Sequence, residues 1–370
     1  MTDPHRTVDE LASIPDVVWV DVRAPREYAR GHVPGAINLP ILDDDERGRV
    51  GIAYAREGAM AAKMLGVELV GPRLGALVRR YDELARQGTV AIYCWRGGMR
   101  SGLIGSLLRT MGIPVLIARG GYRAHRRAVM KQLGALPPLV VLHGYTGSGK
   151  TRLLREIAGR LPVVDLEGLG RHRGSTFGAV GLEPQPTQLQ FESELAAVLR
   201  RLPAGAPVLV EGESPALGVL KLPVELIHAM RSGWRLVLEL PRAERVRELV
   251  AEYGPVIKND PDCLAKPLEY LAGRLPKKSL EMLKESFASG NLEAFCAELL
   301  ERHYDPLYER WSKRGTARDY QVIKAATVAE ATVAVAAAYA RIAQLVRDGA
   351  AGPFPPVPTP EAPSPAASPK

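Results

Sequence analysis

The stretch Val90–Gly102, VAIYCWRGGMRSG, brings a thiol, two glycines, an arginine and a serine together within eight positions, Cys94 to Ser101. The thiolate is the nucleophilic form of cysteine, and these neighbours favour it. Gly97 and Gly98 let successive N–H groups turn inward as an anion nest. Arg100 offers a fork of donors matched to a tetrahedral oxyanion, and a helix starting at the loop adds its positive end. Cys94 is therefore the candidate nucleophile and Arg100 its oxyanion partner; the alternative is an inert cysteine at the end of a buried strand.

A second stretch, GYTGSGKT from Gly144 to Thr151, meets the phosphate-loop pattern in full. Gly144, Gly147, Ser148 and Gly149 shape a loop whose N–H groups wrap a diphosphate, Lys150 reaches its terminal phosphate, and Thr151 is placed to hold Mg²⁺. The motif defines a diphosphate site and is silent on nucleotide hydrolysis. After the apolar run Pro207–Val210, the position usually taken by a metal-organising aspartate carries Glu211, with Glu213 two residues on; either can act through a water on the metal. No guanine- or adenine-recognition motif is found. Arg171, His172, Arg173 and Ser175 lie in DLEGLGRHRGSTFG, which reads either as a surface loop or as a loop closing over phosphates. His172 has no Cys or His at ligand spacing, so no protein-held metal is assigned.

Both loops need strands to aim them. Val90–Tyr93 and Leu139–Leu142 are short apolar runs that read as buried parallel strands, followed by helices over Leu103–Leu108 and Arg152–Leu161. From Val224 on the chain reads as mostly helical. Cys263 and Cys296 read as structural. Tyr304, Tyr308 and Trp311, interleaved with Arg302, Arg310, Lys313 and Arg314, suit either a helical core edge or stacking on unpaired bases. Ala325–Arg347 is an alanine-rich helix, and the proline-rich stretch after it is expected to be a disordered tail.

At 370 residues the chain exceeds one ordinary core. Three scattered cysteines exclude a disulfide framework and point to a reducing, cytoplasmic setting. No signal peptide or membrane span is expected. The net charge of +8 favours a polyanionic partner. Arg119, Arg123, Arg126, Arg127 and Lys131 concentrate that charge in GGYRAHRRAVMKQLGALPP, which reads as a solvated helix face or as a track for a nucleic-acid backbone.

VVWVDVRAPREYARGHVPGAINLP, with Asp21, Arg23, Glu27, His32, Pro34, Gly35, Ala36 and Asn38, resembles the rhodanese signature. One departure matters. Rhodaneses that move sulfane sulfur usually place arginine five residues after the cysteine, whereas Arg100 follows Cys94 by six. The wider loop resembles that of the cysteine phosphatases sharing the fold and suits a phosphate-sized donor. The series YCWRGGMRSG, GGYRAHR, GYTGSGKT, DLEGLGRHRGSTFG, QPTQLQFESEL, VEGESPALG and YDPLY, in that order, resembles the bacterial tRNA 2-selenouridine synthase family.

The resemblance implies an α/β chain: a rhodanese-like domain over 8–130, a basic and proline-marked linker over 131–138, and a P-loop NTPase-like core over 139–245. A helical C-terminal region over 246–349 and the tail over 350–370 follow. It implies a transferase acting on 2-thiouridine at the wobble position, in the anticodon arm of the tRNAs for lysine, glutamate and glutamine. Geranyl diphosphate supplies a geranyl group to the sulfur, and selenophosphate then supplies the selenium that replaces the geranylated sulfur, through a selanylated Cys94. No tightly bound cofactor is implied. The chemical reading places geranyl diphosphate at Gly144–Thr151, with ATP or GTP as the alternative occupant. The rival reading of the whole chain is a rhodanese-type sulfurtransferase or cysteine phosphatase fused to an NTPase; a nucleic-acid-binding regulator is disfavoured by the intact Cys94, Arg100, Lys150 and Thr151.

Overall fold

The computed structural model describes residues 3–314 and 319–349, with side chains over 3–309 and 321–349. The side chains of Arg310, Trp311, Lys313 and Arg314, and the expected tail over 350–370, lie outside the described residues. The chain forms two compact units. One holds the residues up to Ala135 together with Thr187–Arg200; the other holds Leu136–Pro186 and the residues from Arg201 on.

The first unit is built on β1 (His5–Arg6), β2 (Val18–Asp21), β3 (Ile37–Asn38), β4 (Val90–Tyr93) and β5 (Val115–Ala118). They form one parallel sheet in the order β1-β5-β4-β2-β3. All four residues of β4 are buried, as an apolar run must be when helices cover both faces of a parallel sheet. Asp21 and Arg23, at the end of β2, form a fully buried ion pair at 2.6 Å. The same guanidinium donates to the Gly31 carbonyl at 2.7 Å and lies over the Tyr122 ring at 4.0 Å. Charges this deep are tolerated only when paired and hydrogen-bonded throughout.

The helix Gln188–Arg201 follows the phosphate loop in sequence, yet through Arg200 it belongs to this first unit. Thr187 Oγ1 donates to the Arg30 carbonyl at 2.8 Å, and His32 N donates to Gln190 Oε1 at 3.0 Å. The expected P-loop segment 139–245 is thus interrupted. Arg126 is ion-paired to Glu192 on that helix and half-buried, so it leaves the basic track expected over Arg119–Lys131.

In the second unit, β6 (Leu139–Gly144), β7 (Val163–Val164), β8 (Val208–Glu211), the short hairpin β9 (Ala216–Leu217) and β10 (Leu220–Lys221), β11 (Trp234–Glu239) and β12 (Asp319–Lys324) follow in sequence. The five-stranded sheet runs β12-β11-β6-β8-β7, all parallel. The C-terminal region, read as mostly helical, is so, and it also holds a strand, β12, which pairs with β11. The last helix runs Val328–Arg347, beginning at an N-cap, Thr327, that accepts from Glu330 N rather than at Ala325. It is long and apolar enough by composition to cross a membrane. Here Val328, Ala331, Val335, Ala338 and Ile342 pack in the sheet's core with Leu153 and Leu238. The helices between Arg242 and Arg314 gather a separate apolar cluster around Leu249, Phe295, Leu299 and Leu300.

Candidate active sites

Cys94 emerges at the end of β4 and is 4% exposed. Gly97 takes a left-handed φ of +64°, and a side chain there would strike the Ala118 carbonyl at 2.5 Å, so only glycine closes the loop this way. The outer side of the loop is pinned by the helix Gly121–Leu133: Tyr122 N donates to the Cys94 carbonyl at 2.8 Å and Arg123 N to the Trp95 carbonyl at 3.0 Å. The helix Met99–Thr110 starts directly after the loop.

Ser101 is fully buried and its hydroxyl donates to Cys94 Sγ at 3.3 Å. Burial alone would push the thiol up. The Ser101 hydroxyl, the N–H groups of Ser101 and Arg96, and the Arg100 charge outweigh it, so the thiol sits below its ordinary range. Cys296, by contrast, is pushed up to about 11 by burial, as a structural cysteine is. Arg100 is held by Glu27 in a two-pronged contact at 2.6 and 3.2 Å. Glu27 is resisted by burial, yet Arg100 draws it below the usual carboxylate range. The sequence motif included Glu27 without a role; this pairing across 73 positions supplies one.

The second site is a cleft of about 520 Å³ lined by Gly144, Gly147, Ser148, Gly149, Lys150 and Thr151. Its further wall includes Arg173, Ser175, Glu213, Glu252 and Tyr253. Gly147 and Gly149 have φ of +77° and +67°, the left-handed turns that aim loop N–H groups inward. Lys150 Nζ donates to the Gly144 carbonyl at 3.0 Å. Thr151 Oγ1 donates to Glu167, which sequence reasoning passed over although it stands in DLEGLG. Burial raises the Glu213 carboxyl to about 8, with the Glu167 charge adding to it.

Glu211 is wholly buried, its Oε2 accepting Leu166 N–H at 2.9 Å. Glu213, two residues on, is the acidic group after β8 that lines the cleft. Arg173 and Ser175 line the cleft, whereas Arg171 is turned to the Pro184 carbonyl. His172 Nδ1 accepts Gly174 N–H at 3.2 Å. Among the described residues no group of three or more His, Cys, Asp or Glu is arranged to hold a metal ion.

A narrow apolar slot of about 30 Å³ shares Thr146, Ser175, Leu249, Tyr253 and Tyr304 with the cleft and continues to Phe177, Ile257, Phe295 and Leu299. Tyr304 packs in this apolar cluster, which takes it out of the base-stacking row considered above.

A cysteine loop at the end of one parallel sheet and a phosphate loop at the end of another make this chain rhodanese-like in its first unit and P-loop in its second. The comparisons agree. A rhodanese-like domain model matches residues 5–128, and the tRNA 2-selenouridine synthase AAA domain model matches 137–338. A tRNA 2-selenouridine synthase of Marinobacter nauticus is 35% identical over 80% of this chain and 88% of its own length. One of Cupriavidus pinatubonensis is 36% identical over 81% and 90%, and one of Nitrosomonas europaea 38% identical over 68% of each. The chain belongs to the tRNA 2-selenouridine synthase family, enzymes that modify tRNA.

Proposed function

We propose that this enzyme geranylates the sulfur of 2-thiouridine at wobble position 34 in the tRNAs for lysine, glutamate and glutamine, drawing on geranyl diphosphate. It then exchanges the geranylated sulfur for selenium from selenophosphate. Alkylation turns a poor leaving group into a good one, which gives the two steps their order. The observation that carries the reading is the apolar slot opening off the phosphate-loop cleft. A ligand held there by its diphosphate meets Phe177, Leu249 and Phe295, surroundings that suit a hydrocarbon chain rather than a nucleobase. The slot is smaller than a prenyl chain, so side chains such as Leu249 and Leu299 move apart on binding.

The oxygen donors Thr151, Glu167 and Glu213 suit a hard cation such as Mg²⁺, which would neutralise the departing diphosphate. Cys94 and Arg100 handle the selenium donor. The RNA is received on the helix Gly121–Leu133, where Arg123, Arg127 and Lys131 are exposed and have no ion-pair partner among the described residues. Trp95, 42% exposed beside the nucleophile and backed by Tyr122 at 5.8 Å, offers a stacking surface for an unpaired base. A tRNA substrate places the enzyme in the cytoplasm.

The test is incubation with 2-thiouridine tRNA, geranyl diphosphate and selenophosphate, followed by nucleoside mass spectrometry. The geranylated nucleoside is expected first and the selenated one after it. Nucleotide hydrolysis with neither product would favour the sulfurtransferase or phosphatase fused to an NTPase.

A further inference from the structure

Resting on selenophosphate as the donor, we propose that Cys94 attacks phosphorus rather than selenium, so that the enzyme passes through an S-phosphocysteine and releases selenium as hydrogen selenide anion. Three features of the loop carry this. The Cys94-to-Arg100 spacing of six is the loop length that resembles the phosphoryl-binding loop of the cysteine phosphatases, with Gly97 turned left-handed within it. The hydroxyl of Ser101, immediately after Arg100, donates to the sulfur at 3.3 Å. A donor placed there stabilises the thiolate as nucleophile and again as leaving group when an S–P bond breaks. Third, the Glu27 carboxyl beside the loop is taken up by Arg100 in a two-pronged contact at 2.6 and 3.2 Å, which keeps it ionised and unsuited to protonating a leaving group. Selenide needs no such proton, because it is a weak enough base to depart as an anion.

Oxidation levels decide between the two points of attack. In selenophosphate, phosphorus is fully oxidised and selenium is at the selenide level. If the thiolate took selenium, the electron pair of the P–Se bond would remain on phosphorus. Phosphite would leave, or an oxidant would be required, so the expected selanylated Cys94 with phosphate as by-product does not balance. Attack on phosphorus does. The S–P bond forms, the P–Se bond breaks, and its electron pair leaves with selenium. Water then attacks phosphorus, the S–P pair returns to sulfur as thiolate, and orthophosphate departs with the proton passing to solvent. The selenide adds to C2 of the geranylated base and expels geranylthiolate, with selenium unchanged in oxidation level throughout. Arg100, held in place by Glu27, would share its fork with the equatorial phosphoryl oxygens.

The experiment uses the full-length enzyme, rapidly quenched after mixing with selenophosphate or with thiophosphate. Thiophosphate is included because its sulfur and phosphoryl adducts differ widely in mass, whereas selenium and phosphoryl adducts nearly coincide and need selenium's isotope envelope to be told apart. A phosphoryl adduct on Cys94 with free sulfide or selenide and orthophosphate is expected. Ser101→Ala should make that adduct accumulate by about 10-fold or more over wild type, through slower loss of the thiolate. Aryl phosphates with good leaving groups should also phosphorylate Cys94, and alkyl phosphates should not. A chalcogen adduct on Cys94 with phosphite, or selenated tRNA formed with no phosphoryl adduct in either protein, overturns the proposal while leaving the selenation reading intact. Absence of any selenated tRNA from wild type sinks both.

Discussion

Ser101 and Cys94 form the smallest unit of this chemistry, and the sulfur's acidity hangs on that contact. Rates of iodoacetamide alkylation should therefore rise with pH around a midpoint below the ordinary cysteine range, and in Ser101→Ala the midpoint should move up. An unchanged midpoint would remove Ser101 from the thiolate's support. Cys94→Ser should abolish selenation and spare geranylation. Lys150→Ala should lower geranylation by about 10²-fold, as loss of a preorganised charge at a transferring group commonly does, and with it selenation of 2-thiouridine tRNA, while tRNA supplied already geranylated is still selenated. Nucleoside mass spectrometry reads both outcomes in one sample. Loss of geranylation in Cys94→Ser, or of selenation of already geranylated tRNA in Lys150→Ala, would mean the assignment of steps to sites is wrong.

At the scale of elements, the Cys94 loop is locked by close backbone approach. Gly97→Ala meets the Ala118 carbonyl and a left-handed backbone, and should cost about 1–3 kcal/mol of stability, visible as a lowered Tm. The carboxyl group after β8 makes a pH-dependent contribution. The Glu213 value is raised from 4.5 to about 8, so its folded form holds a proton that the unfolded chain releases. Its contribution is complete below about 4.5 and is lost as pH rises toward 8. Glu213→Gln, neutral throughout, should flatten the fall in Tm between those limits; an equally steep fall would assign the dependence elsewhere.

The loops and the strands that aim them were legible because Val90–Tyr93 and Leu139–Leu142 are continuous apolar runs ending in glycine-rich turns. What was not legible came from contacts distant in sequence. Nothing local marks Arg126 as the partner of Glu192 or Glu27 as the partner of Arg100, whereas helical spacing already offered the core edge that Tyr304 occupies. The strand Asp319–Lys324 carries charged and polar residues among its apolar ones rather than a continuous apolar run, and its pairing with Trp234–Glu239 makes it part of the sheet.

For the whole molecule, the exposed cations predict how RNA is held. Affinity for tRNA should fall steeply with salt, and removing Arg123, Arg127 and Lys131 together should lower the slope of log K against log salt by about 2–3. Filter binding over a salt series checks this; an unchanged slope would exclude the helix Gly121–Leu133 as the phosphate track. Arg126→Ala, by contrast, should show mainly in thermal stability, because that side chain is taken up by Glu192.

The excursion of Thr187–Arg200 into the first unit has a consequence for anyone dividing this chain. A cut near Pro137 would separate the rhodanese-like fragment from the segment carrying Phe191 and Leu195, both fully buried in the intact fold, and strip a hydrophobic covering from one half while leaving a greasy stray helix on the other. Such fragments should aggregate when made apart and regain solubility when co-expressed, and a gene split at that point would not yield two self-sufficient proteins.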